Sequence, residues 1–371
     1  MISLGELRGR DNNFDLIRVV AAFAVLFVHS LALSGAPAGA PTLGIGNFDS
    51  SAVAVDVFFF TSGFLVTGSL FSRGNIFEFA WARVMRIFPG LWVMLVLTVA
   101  GLGLFLSTAP ASDFFSSSVT RDYVLRGATL INGVKYNLPG VFEDNPYKFA
   151  VNGSLWTLPI EWRLYEYLAA GWVLLALRPA WRRPAFRLGA PAAALVLTLI
   201  ALKTFAAQGD RDPAQVPGAM FFYGAALQMW RDRIGLSYAR FGLLVAALTL
   251  AAASGAAFFP IYLVTLGPLV LHFAYLFGGP IRAYNRVGDY SYGVYIYAFP
   301  IQQTLAALIP GVSAARMNVL ASVLTLACAV LSWHLVEKPA LDWKLVPAAA
   351  TERLFARLRD GFLEWRRRSA A

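Results

Sequence analysis

The chain has 371 residues, 58% of them hydrophobic and only 14% charged, with a mean hydropathy of +0.60 and a net charge of +10. So much apolar surface excludes a single soluble core and points to an all-α polytopic membrane protein. The apolar runs are continuous where a membrane barrel would alternate, which excludes a transmembrane β-barrel.

Run length predicts about ten transmembrane helices, near 14–34, 52–72, 88–107, 157–177, 188–207, 217–230, 241–257, 259–277, 290–308 and 316–336. The first, FDLIRVVAAFAVLFVHSLALSG, contains Arg18 and His29. An ionisable residue at bilayer depth is costly and is a functional-site hypothesis by default. The eleven-residue separation is ~16 Å along a helix, which puts Arg18 near one membrane face and His29 deeper or in the far half. Histidine titrates near neutrality and is suited to taking a proton from a hydroxyl. Asp15, three residues before Arg18, is a candidate partner for it. Ala36-Pro37-Ala38-Gly39-Ala40 resembles a signal cleavage site, yet an uncleaved first span is expected, because cleavage would discard both Arg18 and His29.

The second span, VAVDVFFFTSGFLVTG, carries Asp56, which needs a partner in lipid, an arginine or a histidine. Ser62 and Gly63 suit either close helix packing or approach of a narrow ligand. Residues 75–88, NIFEFAWARVMRIF, read as an amphipathic helix leading into the third span. Arg83 and Arg86 share one face of it, a pair suited to phosphate or to lipid headgroups. The longest non-membrane segment, about 108–155, is expected outside the cell as a lid, a substrate platform or a covering loop. The fourth span opens with GSLWTLPIEWRLYEY, where Glu161 follows Pro159. Its carboxylate is placed to orient an imidazole or a sugar hydroxyl, or to pair with Arg163.

Residues 1–340 form the membrane domain, and 341–371 a basic tail whose stretch TERLFARLRDGFLEWRRR reads as an interfacial amphipathic helix. With the N-terminus inside, 23 of the 31 Lys and Arg residues fall on the cytoplasmic side, among them Arg8, Arg10, Arg73, Arg183, Arg240 and Arg286. That pattern places both termini in the cytoplasm and assigns the positive charge to topology, with no nucleic-acid partner implied. The single cysteine, Cys328, excludes an intrachain disulfide. No HExxH, no metal-ligand cluster and no phosphate loop is present, so no metal is expected. His272 and His334 sit near cytoplasmic span ends and read as interfacial residues.

Taken in order, these segments resemble the membrane-bound acyltransferase 3 family over residues 11 to about 340. The resemblance rests on FDLIRVVAAFAVLFVH, VDVFFFTSGFLV, RVMRIFP, GSLWTLPIEWRLY, the run YSYGVYIYAFP ending at Pro300, and VEKP ending at Pro339. Ala298 departs from the family pattern, where a histidine often follows the tyrosine-rich run, which lowers the expectation of a second catalytic histidine. No SGNH-type hydrolase-like domain is fused to the chain, so the stand-alone form is expected.

The resemblance implies transfer of an acyl group, acetyl by default, from cytoplasmic acyl-CoA to a hydroxyl of an extracytoplasmic or lipid-linked carbohydrate in a bacterial inner membrane. A surface or exopolysaccharide is the expected acceptor, with a glycosylated small molecule as an alternative. The expected donor site is Arg83 and Arg86 with Arg18. The expected catalytic set is His29, as general base or transient acyl carrier, with Glu161, then Asp56 and Asp15, as orienting carboxylates. Two rival classes remain at this stage. A secondary transporter would need coupling to an ion gradient, and matched helix breaks in two halves are not seen. An assembly partner would not depend on His29 alone.

Overall fold

A computed structural model of the chain describes residues 2–7, 11–36, 44–45, 48–255 and 257–369. Arg8, Arg10 and residues 37–40 of the cleavage-like stretch lie outside the described residues. The chain runs α1 (Phe14–Leu33), α2 (Ser50–Arg73), α3 (Ile76–Phe105), α4 (Ala111–Ser116), α5 (Ser118–Thr129), α6 (Thr157–Leu174) and α7 (Arg182–Gln208). It continues with α8 (Gln215–Met229), α9 (Tyr238–Ser254), α10 (Phe258–Leu276), α11 (Ser291–Leu308), α12 (Ala314–Ser332), α13 (Lys338–Trp343) and α14 (Leu345–Ser369). Strand pairing is confined to two short ribbons among the described residues. In one, β1 (Ile2–Ser3) pairs antiparallel with β4 (Gly235–Leu236), and in the other β2 (Gly44–Ile45) pairs with β3 (Phe48–Asp49).

Each of the ten predicted spans is occupied by a helix. Among the described residues, six helical stretches are long and apolar enough to cross a membrane: Phe14–Leu33, Ser50–Arg73, Ile76–Phe105, Pro179–Gln208, Phe258–Leu276 and Ala314–Arg366. The protein is therefore a multi-pass, all-α membrane protein. α8 and α11 fall short of that hydropathy for a physical reason. They lie inside the bundle, so their polar side chains face other helices and find hydrogen bonds there. Gln302, fully buried on α11, donates to the Leu26 carbonyl at 2.8 Å and to Ser30 Oγ at 2.6 Å, binding α11 to α1.

The amphipathic segment at 75–88 is the first part of a single continuous helix, α3, and not a separate one. Gly74, at φ +67°, ends α2, and the Asn75 side chain caps α3 by accepting from the Phe77 and Glu78 N–H groups. This two-residue reversal, Gly74-Asn75, sets Arg83 and Arg86 against α2. α14 folds back along the start of α3, with Trp81 Nε1 donating to Thr351 Oγ1 at 3.0 Å and Phe77 packed on Phe355.

Apolar burial does not draw helices together in lipid, so close contact needs small residues. α2 and α8 meet through a reciprocal pair. A Cβ on Gly63 would stand 1.9 Å from the Phe221 carbonyl oxygen, and one on Gly224 would stand 2.2 Å from that of Phe60. The long segment after α3 forms α4 and α5 and is then tied onto α11. Asn145 donates to Gln303 Oε1 at 2.8 Å, and Gln303 donates to the carbonyls of Tyr147 and Ala150 at 2.8 and 2.6 Å.

Candidate active site

Two cavities lie end to end in the bundle. The first, about 90 Å³, is lined by Arg18, Ser62, Arg83, Arg86, Glu161, Tyr165 and Tyr292, with Val55 and Tyr295 among the apolar and aromatic walls. The second, about 370 Å³, is lined by His29, Asp49, Trp156, Asp210 and Arg211, again with Val55 and Tyr295. The structure therefore gathers Arg18, Arg83, Arg86 and Glu161 at one cavity and places His29 at the other. Asp56 lines neither.

The arginines of the first cavity are not equivalent. Arg18 Nη1 and Arg86 Nη2 both donate to Asp289 Oδ2, at 2.8 and 2.6 Å. Arg18 thus pairs with Asp289 of the loop before α11. Asp289 Oδ1 accepts from Ser291 Oγ at 2.6 Å, and Arg86 also lies 3.7 Å from the buried Glu337. Burial alone would raise the Asp289 pKa, but the Arg18 and Arg86 guanidiniums outweigh it and hold the carboxyl down at about 2. Arg83 is different. Its Nε is buried without a hydrogen-bond partner, and its guanidinium sits 5.8 Å from the centre of the Tyr165 ring.

Glu161 stands in the second turn of α6, which begins at Thr157 after a 3₁₀ turn (Gly153–Trp156), so Pro159 is inside the first turn and does not precede the helix. Ser62 Oγ donates to Glu161 Oε1 at 3.0 Å and contacts the Tyr165 hydroxyl at 2.8 Å. The Tyr165 hydroxyl donates to the same carboxylate oxygen. Glu161 therefore faces the arginine cavity and is separated from the His29 cavity. In the pair Ser62-Gly63, the serine holds this carboxylate and the glycine admits α8.

His29 packs edge-on against Phe299, with ring centroids 5.3 Å apart, and its buried Nδ1 has no hydrogen-bond partner. Gly153 makes room for that phenylalanine, since a Cβ there would stand 2.7 Å from its ring. The other histidines are engaged elsewhere. His272, buried on α10, contacts the Pro268 carbonyl through Nδ1 at 2.7 Å, and His334 contacts the Tyr290 hydroxyl at 3.2 Å. Ala298 is buried against Leu26, Leu305 and Ala321.

Asp56 has the arginine partner its position demanded, Arg211, a residue that no local pattern singles out. Arg211 grips the fully buried carboxylate with two bonds, Nη1 to Oδ2 at 2.9 Å and Nη2 to Oδ1 at 2.8 Å. Tyr262 donates to Oδ2 at 2.6 Å. Burial works against the Arg211 charge, but Asp56 overcomes it and raises the guanidinium pKa. Arg211 is one wall of the His29 cavity, so Asp56 stands behind that wall. Asp289, Arg211 and Tyr295 are the functional-site candidates that sequence reasoning missed. Among the described residues no group of three His, Cys, Asp or Glu side chains is placed to hold a metal ion.

A family model described as "Acyltransferase domain" matches residues 11–334. An "O-acetyl transferase" of Shigella phage Sf6 is 29% identical over 352 residues, covering 89% of this chain and 96% of the phage protein. "Nodulation protein 10" of Rhizobium leguminosarum bv. viciae is 30% identical over 384 residues, covering 93% of this chain and 97% of that protein. No solved structure matches the chain.

Proposed function

Since the chain belongs to the acyltransferase family whose model spans residues 11–334, we propose that it carries an acetyl group from acetyl-CoA on one side of a bacterial cytoplasmic membrane to a sugar hydroxyl on the other. The observation that carries this reading is the pair of cavities meeting at Val55 and Tyr295, one rich in arginine and one holding His29. The likeness to a phage O-acetyl transferase supports acetyl as the group and oxygen as its destination.

The arginine cavity lies at the end of the bundle where α1 and α3 begin, and the positive-inside rule puts that end in the cytoplasm. Acyl-CoA is available there. Arg83, with no fixed anionic partner, binds the donor phosphates. Arg18 and Arg86 are already satisfied by Asp289, so they shape the mouth and add positive potential. Glu161, with one oxygen held by Ser62 and Tyr165, offers the other to an amide N–H of the pantetheine arm.

His29, with Nδ1 unpartnered, accepts the proton of the acceptor hydroxyl as its oxygen attacks the thioester carbonyl. Such general-base assistance contributes roughly 10²–10⁴ in rate. The C–O bond forms, the C–S bond breaks, and the thiolate departs on the arginine side and is protonated from water. Asp56 acts through Arg211 as a positioning residue and does not touch the reacting atoms. A bacterial surface polysaccharide or its lipid-linked precursor is the acceptor.

The test is transfer of label from radiolabelled acetyl-CoA to a panel of glycans by purified protein. Wild type is expected to label a sugar. Arg83→Gln should weaken donor binding about tenfold, the loss of one charge-assisted contact. Well-folded wild type that neither binds nor consumes acetyl-CoA would overturn the reading.

A further inference from the structure

Val55 and Tyr295 line both cavities, so a passage from the Arg83 side to the His29 side runs past these two residues. Their mobilities differ. The Tyr295 hydroxyl donates to the Ser154 carbonyl at 2.8 Å and contacts Thr157 Oγ1 at 2.7 Å, and its ring packs edge-on against Phe58 at 5.7 Å. It stands on α11, a helix buried along most of its length. Tyr295 is therefore a fixed wall.

Val55 stands on the second turn of α2, and both residues are only 8% exposed. A β-branched residue in a helix holds one χ1 rotamer almost always, so its two methyl groups project at a constant distance. The width of the passage is then set by the size of one stiff side chain against one anchored ring.

Resting on the transfer proposed above, we infer that the passage between Val55 and Tyr295 is where the acyl group crosses, and that Val55 selects a short acyl chain. The thioester carbonyl is held at the passage, within reach of a hydroxyl on the His29 side, and the acyl carbons attached to it pack beside Val55. A longer chain meets the Val55 methyls. In every case the balance is the same: the acceptor O–C bond forms, the thioester C–S bond breaks, and the hydroxyl proton leaves by way of His29.

The experiment compares acetyl-, propionyl- and butyryl-CoA as competing donors for wild type, Val55→Ala and Val55→Phe. Excluding or admitting about one methylene is worth roughly 10–200-fold in discrimination. Val55→Ala should raise the butyryl-to-acetyl ratio of kcat/KM at least tenfold. Val55→Phe should reduce transfer from all three donors at least tenfold while leaving the Kd for CoA unchanged, which a misfolded protein would not do. Unchanged ratios in an active Val55→Ala protein, or full activity in Val55→Phe, would overturn the inference and leave the transferase reading standing. Wild type inert toward all three donors would instead overturn the transferase reading and this inference with it.

Discussion

Asp56→Asn removes a charge from a deeply buried ion pair while keeping the side chain's size. Asp56 is fully buried and Arg211 keeps 11% of its side-chain surface exposed, so the orphaned guanidinium gains little from water. Breaking a buried pair from one side costs about 3–5 kcal/mol. The Tyr262 hydroxyl, which donates to the same carboxylate at 2.6 Å, adds to the loss when its acceptor weakens. Replacing both charges is a different perturbation, because apolar substitution of a whole buried pair is often neutral or stabilising. Asp56→Leu with Arg211→Met should therefore recover most of the loss, short of about 1–3 kcal/mol for the stranded tyrosine hydroxyl. Adding Tyr262→Phe should recover that as well. Thermal midpoints of the purified variants in detergent report each step, with a drop of roughly 5–15 °C for the single variant. If Asp56→Asn keeps the wild-type midpoint and loses acyl transfer, Asp56 takes part in the chemistry itself and the positioning role is wrong.

Further outcomes are expected elsewhere in the molecule. His29→Ala should lower kcat/KM by roughly 10²–10⁴ with donor affinity kept, because the imidazole serves the acceptor hydroxyl; steady-state kinetics with donor binding measured in parallel checks it. Asp289 has its folded pKa held at about 2, below its ordinary 3.8, so its contribution to stability is complete above about pH 4 and disappears as the pH falls through 2. Asp289→Asn should be less stable than wild type at pH 7, with the gap in denaturation midpoint closing toward pH 2. Gly63→Ala forces a Cβ to within 1.9 Å of a backbone oxygen of α8 and should cost about 1–3 kcal/mol or more. Gly101→Ala, on α3 with nothing within 4 Å of the added carbon, should be neutral or stabilising in the same thermal assay.

How much of this was legible in the sequence depended on whether the signal was local. Apolar run length placed a helix at each of the ten positions, six of them long and apolar enough to cross a membrane, because a span must bury its own backbone hydrogen bonds whatever surrounds it. The polar character of α8 and α11 concealed their interior position, since hydropathy reports composition and not which neighbours cover a helix. Asp56 announced its need for a partner. Arg211 did not answer, because it lies between Asp210 and Asp212 in a connector 155 positions from Asp56, and no local pattern joins the two. The Arg86–Asp289 pair joins residues 203 positions apart, a distance no motif spans. Arg18, Arg83, Arg86 and His29 were all visible as unusual residues near or within membrane depth. Their division between two cavities, and the placement of Glu161 with the arginines, follow from how α1, α2, α6 and α11 pack. That information exists only in three dimensions.

If, as proposed, the acetyl group passes from a donor on the arginine-cavity side to an acceptor on the His29 side, proteoliposomes of uniform orientation will report that vectorial transfer. Acetyl-CoA, which does not cross a bilayer, is supplied only on the side of the arginine cavity, and a glycan acceptor only on the side of the His29 cavity. Acetylated glycan is expected in that arrangement and none when the two substrates are exchanged. Product formed only when donor and acceptor share one side would contradict it.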